Sequence, residues 1–585
     1  MRKLAKFTLV LLLLVLPIAS KEASMPVPAV VMLGGGELVQ LEVEIRPGHG
    51  DVYVATDPLV GIQTQDSAKT AFKVAGKLTG ADMSKYDALV RMNVYGGAKS
   101  VDGPSGGAAM TLLMLSILEN KTLRSDLTVT GTIQADGSIG EVGEVGKKTR
   151  AAVLSGMRVI LIPKNYDVFD KMVFSILGRR WNISIIEVDD IKTAEELAFT
   201  PENTTMQSNV MEVKPSTRLN LSETELNCSD CYIPEFKEFA SKIIENNRAL
   251  LDEVRKQNKS EFTYFLDMIE SNLEGAEDAE KWNYPYAGAN SAFLVGINLN
   301  FLNGSNITST ALQNRMVSVE SCIDSAIKPQ MTKENFEWVA GGDERLFWAE
   351  KKLEEIKKQN YSSDDDETIL FLFKELLTSE SWCQVSHEMF SLASKINGTP
   401  VNESNLKGFA SSKIADATEK LNSFVGADFG DAGWRFEAAK NEFGNGSFVA
   451  ATFDSEYLLS AVKTVNETDD MNGFLNKQFA TPKSWSGMWA ALYGNHAQYI
   501  YLRSKVSGGM ESAVLLRIYA NSLNNDTIKI KELFESPTVE SENTINITVT
   551  GEQPTQYDNS LALLLVMCLI FAIFLNVVQI FRTAE

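Results

Sequence analysis

The apolar pattern of this chain changes character once, and that change sets what it can fold into. From about Pro28 to Thr200, short β-like runs alternate with helical stretches. From about Pro234 to Ile530 the residues favour helices, separated by breaks such as Asn303-Gly304 and Asn397-Gly398. Between the two, residues 201–227 are rich in Asn, Thr, Ser and Glu and read as a linker. A chain of 585 residues is too long for one core, so the change in pattern marks two domains, 28–200 and 228–534. The second reads as an all-α bundle or short helical array, with no repeat regular enough to name a solenoid.

Within the first region Leu41-Glu42-Val43-Glu44-Ile45 alternates apolar and charged, as a half-buried strand does. The turn residues Arg46 to Asp51 and the run Val52-Tyr53-Val54 predict a hairpin. Ala68 to Leu78 has helical spacing, Ala88 to Tyr95 reads as a strand, and Met110 to Leu118 is apolar enough for a buried helix. Leu127 to Thr130 is a strand, Lys147 to Ser155 a helix, and Val159 to Ile162 a strand buried on both faces. The fold class is therefore α/β or α+β for this region.

The two ends have their own signatures. Residues 1–24 carry a basic start, an apolar stretch from Phe7 to Ala19 and then small residues, the three-part pattern of a signal peptide. Leu561 to Phe581 is apolar except for Asn576 and Gln579, and about 31 Å of helix would cross a bilayer. The expectation is a transmembrane helix at 560–582, reached through a stalk at 535–559, with the bulk of the chain outside the cytoplasm and a single-pass anchor in the cell membrane. Asn-X-Ser/Thr sites from Asn120 to Asn546 agree with a glycoprotein of that kind. Cys228, Cys231, Cys322 and Cys383 could form two disulfides by any of three pairings, whereas Cys568 lies in the apolar terminal stretch. The formal charge of −21 argues against nucleic acid as a partner.

The chemistry concentrates at Asp102-Gly103-Pro104-Ser105-Gly106-Gly107. Pro104 suits the first turn of a helix, and the glycines permit tight turns and close approach of a substrate. A serine there lies where free backbone N–H groups and the helix dipole stabilise an oxyanion. It needs a base. His49 lies in the predicted turn, and His387 and His496 belong to the distant helical region. Lysine is the alternative, because burial lowers its pKa, and Lys148 beside Ala151-Ala152 is the best placed.

These residues resemble the Lon protease family of serine-lysine peptidases. The stretch around Ser105 is similar to the family's nucleophile motif, usually DGPSAG. Lys148-Thr149-Arg150-Ala151-Ala152, with Gly156 and Val159 to Pro163, resembles its lysine motif, and Lys148 follows Ser105 by 43 positions as in that family. The likeness covers about residues 30 to 200. It implies an α+β Lon-type proteolytic domain, Ser105 as nucleophile and Lys148 as general base. By the same resemblance Thr130 lies near the lysine amine, and Asp102 and Gly103 help shape the site. Lys147 is one position away from the family's other lysine. No metal and no cofactor are implied, polypeptides are the substrates, and the family forms homo-oligomeric rings through this domain, which leaves open whether this chain does.

Gly106 stands where the family usually has Ala, Thr132 where Glu often follows Thr-Gly, and Asn93 where many bacterial members have His. The family's ATPase is absent: Gly143-Glu144-Val145-Gly146-Lys147-Lys148 only brushes a phosphate loop. The reading is an ATP-independent, membrane-tethered endopeptidase acting on unfolded or flexible chains. Its rivals are a catalytically silent surface scaffold and a protease that cuts its own linker near Pro201. Asp364-Asp365-Asp366-Glu367 fits no EF-hand spacing and reads as a cap for the next helix.

Overall fold

The computed structural model describes residues 21–30, 36–55, 59–94, 100–101, 103–164, 166–209, 233–257, 262–424, 429–465, 470–480, 483–507 and 509–535. Strands β1 (Lys21–Val30), β2 (Gly36–Pro47), β3 (Val52–Val54) and β5 (Tyr86–Val94) form a sheet in the order β1-β2-β5-β3, antiparallel except for β3 against β5. Strand side chains alternate between faces, so Val39, Leu41, Val43 and Ile45 of β2 enter the core while Glu42 and Glu44 stay half-buried. Short β4 (Leu59–Val60) pairs in parallel with β6 (Ser100–Val101).

The second sheet is parallel, with β7 (Leu127–Val129), β10 (Val159–Pro163) and β11 (Ser184–Val188) in the order β11-β10-β7. All five residues of the central strand β10 are buried, which is why its sequence is an unbroken apolar run. A small hairpin, β8 (Thr132–Ile133) and β9 (Ile139–Gly140), projects beside it. Helices α1 (Ile62–Thr79), α2 (Gly107–Glu119), α3 (Val145–Leu154), α4 (Val168–Arg180) and α5 (Ile191–Ala198) complete the region. Helix α2 is apolar on all sides, and Gly107 to Ile117 are all buried.

One expectation about the first strands needs correcting. The hairpin between Leu41–Ile45 and Val52–Val54 does not form, because β5 inserts between β2 and β3. The intervening turn is tied to β5: the Asp87 carboxylate accepts from the N–H groups of His49 (2.7 Å) and Asp51 (3.1 Å). A turn composition tells that the chain reverses, not which strand lies alongside. The expected leader 1–24 overlaps β1, where Lys21 to Ser24 pair with Ile45 to Glu42.

The rest of the described chain is helical: α6 (Pro234–Lys256), α7 (Thr263–Lys281), α8 (Pro285–Asn303), α9 (Ser309–Asp324), α10 (Phe336–Lys357), α11 (Asp366–Lys395), α12 (Lys407–Ser423), α13 (Asp431–Gly444), α14 (Phe448–Val465), α15 (Met471–Phe479), α16 (Met488–Ser507) and α17 (Met510–Glu535). Its centre is aromatic, with Phe236 set against Trp338 and Trp489. A Cys322–Cys383 disulfide ties α9 to α11, while Cys228 and Cys231 lie outside the described residues.

The two regions share a core. Helix α4 of the first sends Phe169, Met172, Val173, Ile176 and Leu177 into one apolar cluster with Phe301 and Phe373 of the helical region. Around that seam Arg180 pairs with Asp366 and donates to the Ser305 carbonyl at 2.9 Å, and Trp181 Nε1 donates to Asp366 at 2.9 Å.

The expected transmembrane helix at 560–582, and the single-pass membrane location built on it, are not upheld. Among the described residues no helix is long and apolar enough to cross a membrane, and 560–582 itself lies outside them.

The disulfide closes a sequence separation of 61 residues. Restricting the unfolded chain to that extent is worth about 2–4 kcal/mol. Cys322→Ser should therefore lower the denaturant midpoint of the helical region, followed by tryptophan fluorescence, and an unchanged midpoint would show that the bridge contributes nothing.

Candidate active site

Ser105 lies in a single 3₁₀ turn, Pro104–Gly106, that runs directly into α2. Gly103, just before it, has φ 134° and ψ 148°, a region that a side chain at Cβ disfavours. The turn is held from two sides. From α1, Thr64 Oγ1 donates to the Gly103 carbonyl (3.0 Å) and Ser67 Oγ to that of Pro104 (3.3 Å). From the β7–β8 connection, Gly131 N–H donates to the Ser105 carbonyl (2.9 Å), and Ala108 N–H returns a bond to the Gly131 carbonyl (3.1 Å). The main chain of Ser105 is thus fixed, while its half-buried hydroxyl makes no hydrogen bond among the described residues.

The same connection carries Thr130. Its N–H donates to the Leu161 carbonyl of β10 at 3.0 Å, so the sheet sets its position. The side chain is buried and Oγ1 has no hydrogen-bond partner among the described residues. An orphaned buried hydroxyl costs about 1–3 kcal/mol, an expense that folding alone gives no reason to keep.

Lys148 is on the first turns of α3 and only 5% exposed. Its ammonium has no hydrogen bond or ion pair among the described residues, Ser105 Oγ included. Burial lowers its pKa to about 8, against the raising influence of Glu144 and Glu367. Its neighbour is the opposite case. Lys147 Nζ pairs with Glu144 at 2.8 Å, and that bond raises its pKa. Of the two adjacent lysines, Lys148 is the one whose pKa is brought down toward physiological pH.

The N-terminus of α3 has an unexpected partner. Glu144, at the cap position, is left-handed (φ 60°) and its side chain does not cap. The free N–H groups of Gly146 and Lys147 donate instead to the two carboxylate oxygens of Glu367, at 2.8 and 2.9 Å. Glu367 stands at the start of α11, more than two hundred residues away in sequence. In the Asp364–Glu367 stretch, Asp365 caps α11 itself by accepting from Thr368 N–H, as expected of this sequence. The reach of Asp366 and Glu367 into the other region could not be read from it. The stretch Gly143–Lys148, which brushes a phosphate loop in sequence, presents N–H groups that a protein carboxylate already holds.

The other expected residues are placed as follows. Asp102 lies outside the described residues. Asn93 Nδ2 donates to Glu42 at 2.8 Å on the outer face of the sheet, and Thr132 begins β8. None of the histidines approaches the Ser105 turn through a hydrogen bond. His387 is bonded to the Cys322 carbonyl, and His496 is half-buried with its ring against Tyr286, where desolvation lowers its pKa to about 4.

Comparison with known proteins gives this geometry a context. Residues 29–200 match the Lon protease (S16) C-terminal proteolytic domain. The chain is 34% identical over 171 residues to the Lon protease of Phenylobacterium zucineum, a match covering 28% of this chain and 21% of that protein. It is 27% identical over 173 residues to the Lon protease of Fervidobacterium nodosum, covering 29% and 21%. Lon protease 2 of Thermus thermophilus is 30% identical over 134 residues, covering 22% and 16%. The chain thus spans about a fifth of the length of such relatives. Residues 29–200 are thus similar to the Lon-type proteolytic domain, and a large all-helical region follows them.

Two glycines beside Ser105 behave oppositely. A Cβ on Gly107 would lie 2.9 Å from the Ile133 backbone N, whereas one on Gly106 would meet only the mobile end of Met110 at 3.5 Å. Gly107→Ala should destabilise the amino-terminal domain by about 1–3 kcal/mol, and Gly106→Ala by less than about 1 kcal/mol. Paired denaturation curves check this, and equal losses would contradict the packing.

Proposed function

We propose that the protein is an ATP-independent serine endopeptidase with Ser105 as nucleophile and Lys148 as general base, hydrolysing flexible or unfolded polypeptides. The observation that carries this reading is the state of Lys148: buried, without an acceptor among the described residues, and with its pKa lowered to about 8. At pH 7 about a tenth of such a lysine is neutral, far more than of an exposed one. Neutral Nζ takes the proton of Ser105 Oγ as that oxygen attacks the scissile carbonyl carbon. When the C–N bond breaks, Nζ–H returns the proton to the leaving amine, leaving an ester on Ser105. Water, deprotonated by the same amine, then cleaves the ester. The oxyanion is met by backbone N–H groups of the Ser105 turn other than those of Gly107 and Ala108, which are already bonded to Pro104 and Gly131.

Serine and lysine are not hydrogen-bonded in the free protein, and such contacts tighten when substrate is bound. The unsatisfied hydroxyl of Thr130, on the strand connection bonded to Ser105, is a natural partner for the lysine amine or for substrate. Independence from ATP fits the Gly143–Lys148 stretch, whose Gly146 and Lys147 amides are taken by Glu367 and not free for a phosphate. Self-cleavage near Pro201 is less well supported. The chain beyond it is pinned along β11, with Ser208 Oγ donating to Ile185 and Asn209 bonded to Glu187 on both sides of its amide.

Purified protein should degrade unfolded casein without nucleotide, and Ser105→Ala and Lys148→Ala should each lower the rate by about 10³-fold or more. Because the base acts in its neutral form, kcat/KM should rise with pH through about 8 and level off above it. Cleavage persisting in both variants would reject the dyad, and a rate flat from pH 6 to 9 would reject Lys148 as the base.

A further inference from the structure

We propose that Glu367 is a positioning residue for Lys148, so that the helical region completes the peptidase site by capping the helix that carries the base. This rests on the reading of Ser105 and Lys148 as the dyad, and it assigns the helical region a part in that chemistry.

Helix α3 cannot cap itself. Its preceding residue, Glu144, adopts left-handed backbone and spends its carboxylate on Lys147 Nζ. Two first-turn N–H groups would then be left facing a buried seam, and Glu367 satisfies both with one bidentate carboxylate. The two chains are shaped for this contact. A Cβ on Gly146 would fall 2.2 Å from the Glu367 carboxyl carbon, so only glycine lets the carboxylate reach the amides. Lys148 directly follows Lys147, the second of the two capped amides, and its own N–H donates to the Glu144 carbonyl at 3.0 Å in the same turn. Fixing that turn fixes the direction in which Lys148 leaves the backbone.

Beside the cap lie contacts that do not involve the Glu367 carboxylate. Asp366 holds Trp181 and Arg180, and the guanidinium of Arg150 on α3 lies 5.3 Å from the Trp181 ring. A cleft of about 440 Å³ opens at this seam, lined by Glu144, Lys147, Tyr166, Asp170, Glu367 and Phe371 among others. The titratable groups around the cap are thus Glu144 at the cap of α3 and Lys147 on it, Tyr166 and Asp170 by α4, and Asp365 at the cap of α11 and Glu367 on it. Glu367 also acts on Lys148 through its charge. Together with Glu144 it opposes the lowering effect of burial, so the same carboxylate orients the base and keeps its pKa from falling further.

The full-length protein tests this with casein as substrate, comparing kcat, KM and the pH profile. Glu367→Gln should lower kcat by about 10- to 100-fold with KM little changed, because a misplaced base slows the chemical step. Its alkaline-rising limb should move to lower pH, since one of two carboxylates that raise the lysine's pKa has been neutralised. Gly146→Ala disturbs the same contact from the other side and keeps the charge, so kcat should fall with a smaller displacement of the limb. Asp366→Asn, which loses the Arg180 and Trp181 contacts but not the cap, should retain most of kcat. Thermal midpoints establish that each variant is folded, and if Glu367→Gln does not fold, Gly146→Ala decides. Wild-type kcat and an unmoved limb in Glu367→Gln, or wild-type kcat in Gly146→Ala, would overturn the proposal. Losses in Asp366→Asn equal to those in Glu367→Gln would also overturn it, by showing that docking alone matters. Failure of the dyad reading is separate, because it shows as full activity in Ser105→Ala whatever Glu367 does.

Discussion

A buried ammonium with no bonding partner among the described residues is the constraint from which the site is built. Moving a charged lysine out of water without a partner is costly enough that the group gives up its proton more readily instead. That is the state of Lys148, and its neighbour shows the alternative, since Lys147 keeps its charge by pairing with Glu144. Such a residue can be kept buried only if the helix bearing it is fixed by other means. On one side, a Cβ on Gly36 of β2 would lie 2.1 Å from the Lys147 carbonyl, so sheet and helix meet backbone to backbone. On the other side stands Glu367.

The two fixing contacts differ in kind. Sheet packing limits how far α3 can move, whereas a carboxylate on two amides fixes rotation of its first turn. A carboxylate is also the residue least compatible with a neutral lysine nearby, because opposite charge favours the protonated amine. The conflict is moderated by burial of the acid: Glu367 has its own pKa raised to about 6, mainly by desolvation. It is ionised at neutral pH and can accept both N–H groups.

Much of the backbone was legible in the sequence, because burial leaves a local trace. The run Val159 to Pro163 is unbroken because β10 has parallel neighbours on both sides and is covered on both faces. The alternation from Val39 to Ile45 reports a strand with one face on the core, and the apolar stretch of α2 reports a helix buried all round. Pairing left no such trace: Gly48 and Asp51 announce a turn, but the insertion of β5 depends on Asp87, far along the chain. The Ser105 turn could be anticipated from Gly103 and Pro104, whose conformations are local matters. The partner of the Gly146 and Lys147 amides could not, since nothing near α3 points to α11. The membrane helix shows a different limit. An apolar run is evidence about solvent preference, and the helices of the described structure offer no span to go with it.

The shared core explains why a helical region should be trusted with a contact this close to the base. Phe169 on α4 packs edge-on to Phe301 and Phe371, 4.9 and 5.4 Å away, with the Lys374 ammonium 4.0 Å from its ring centroid. The Arg179 guanidinium lies 4.4 Å from the Phe262 ring centroid across the same seam. Cation–ring and ring–ring contacts of this kind each add about 0.5–2 kcal/mol beyond the area they bury. A bidentate hydrogen bond loses its worth if its two sides drift by even a fraction of an ångström, and a water-filled seam would let them drift. The aromatic packing around Phe169, beside the cleft at Glu367, holds them. On this view the apolar interface comes first in physical order, because it sets the distance across which a single carboxylate can reach two amides and orient the lysine that follows them.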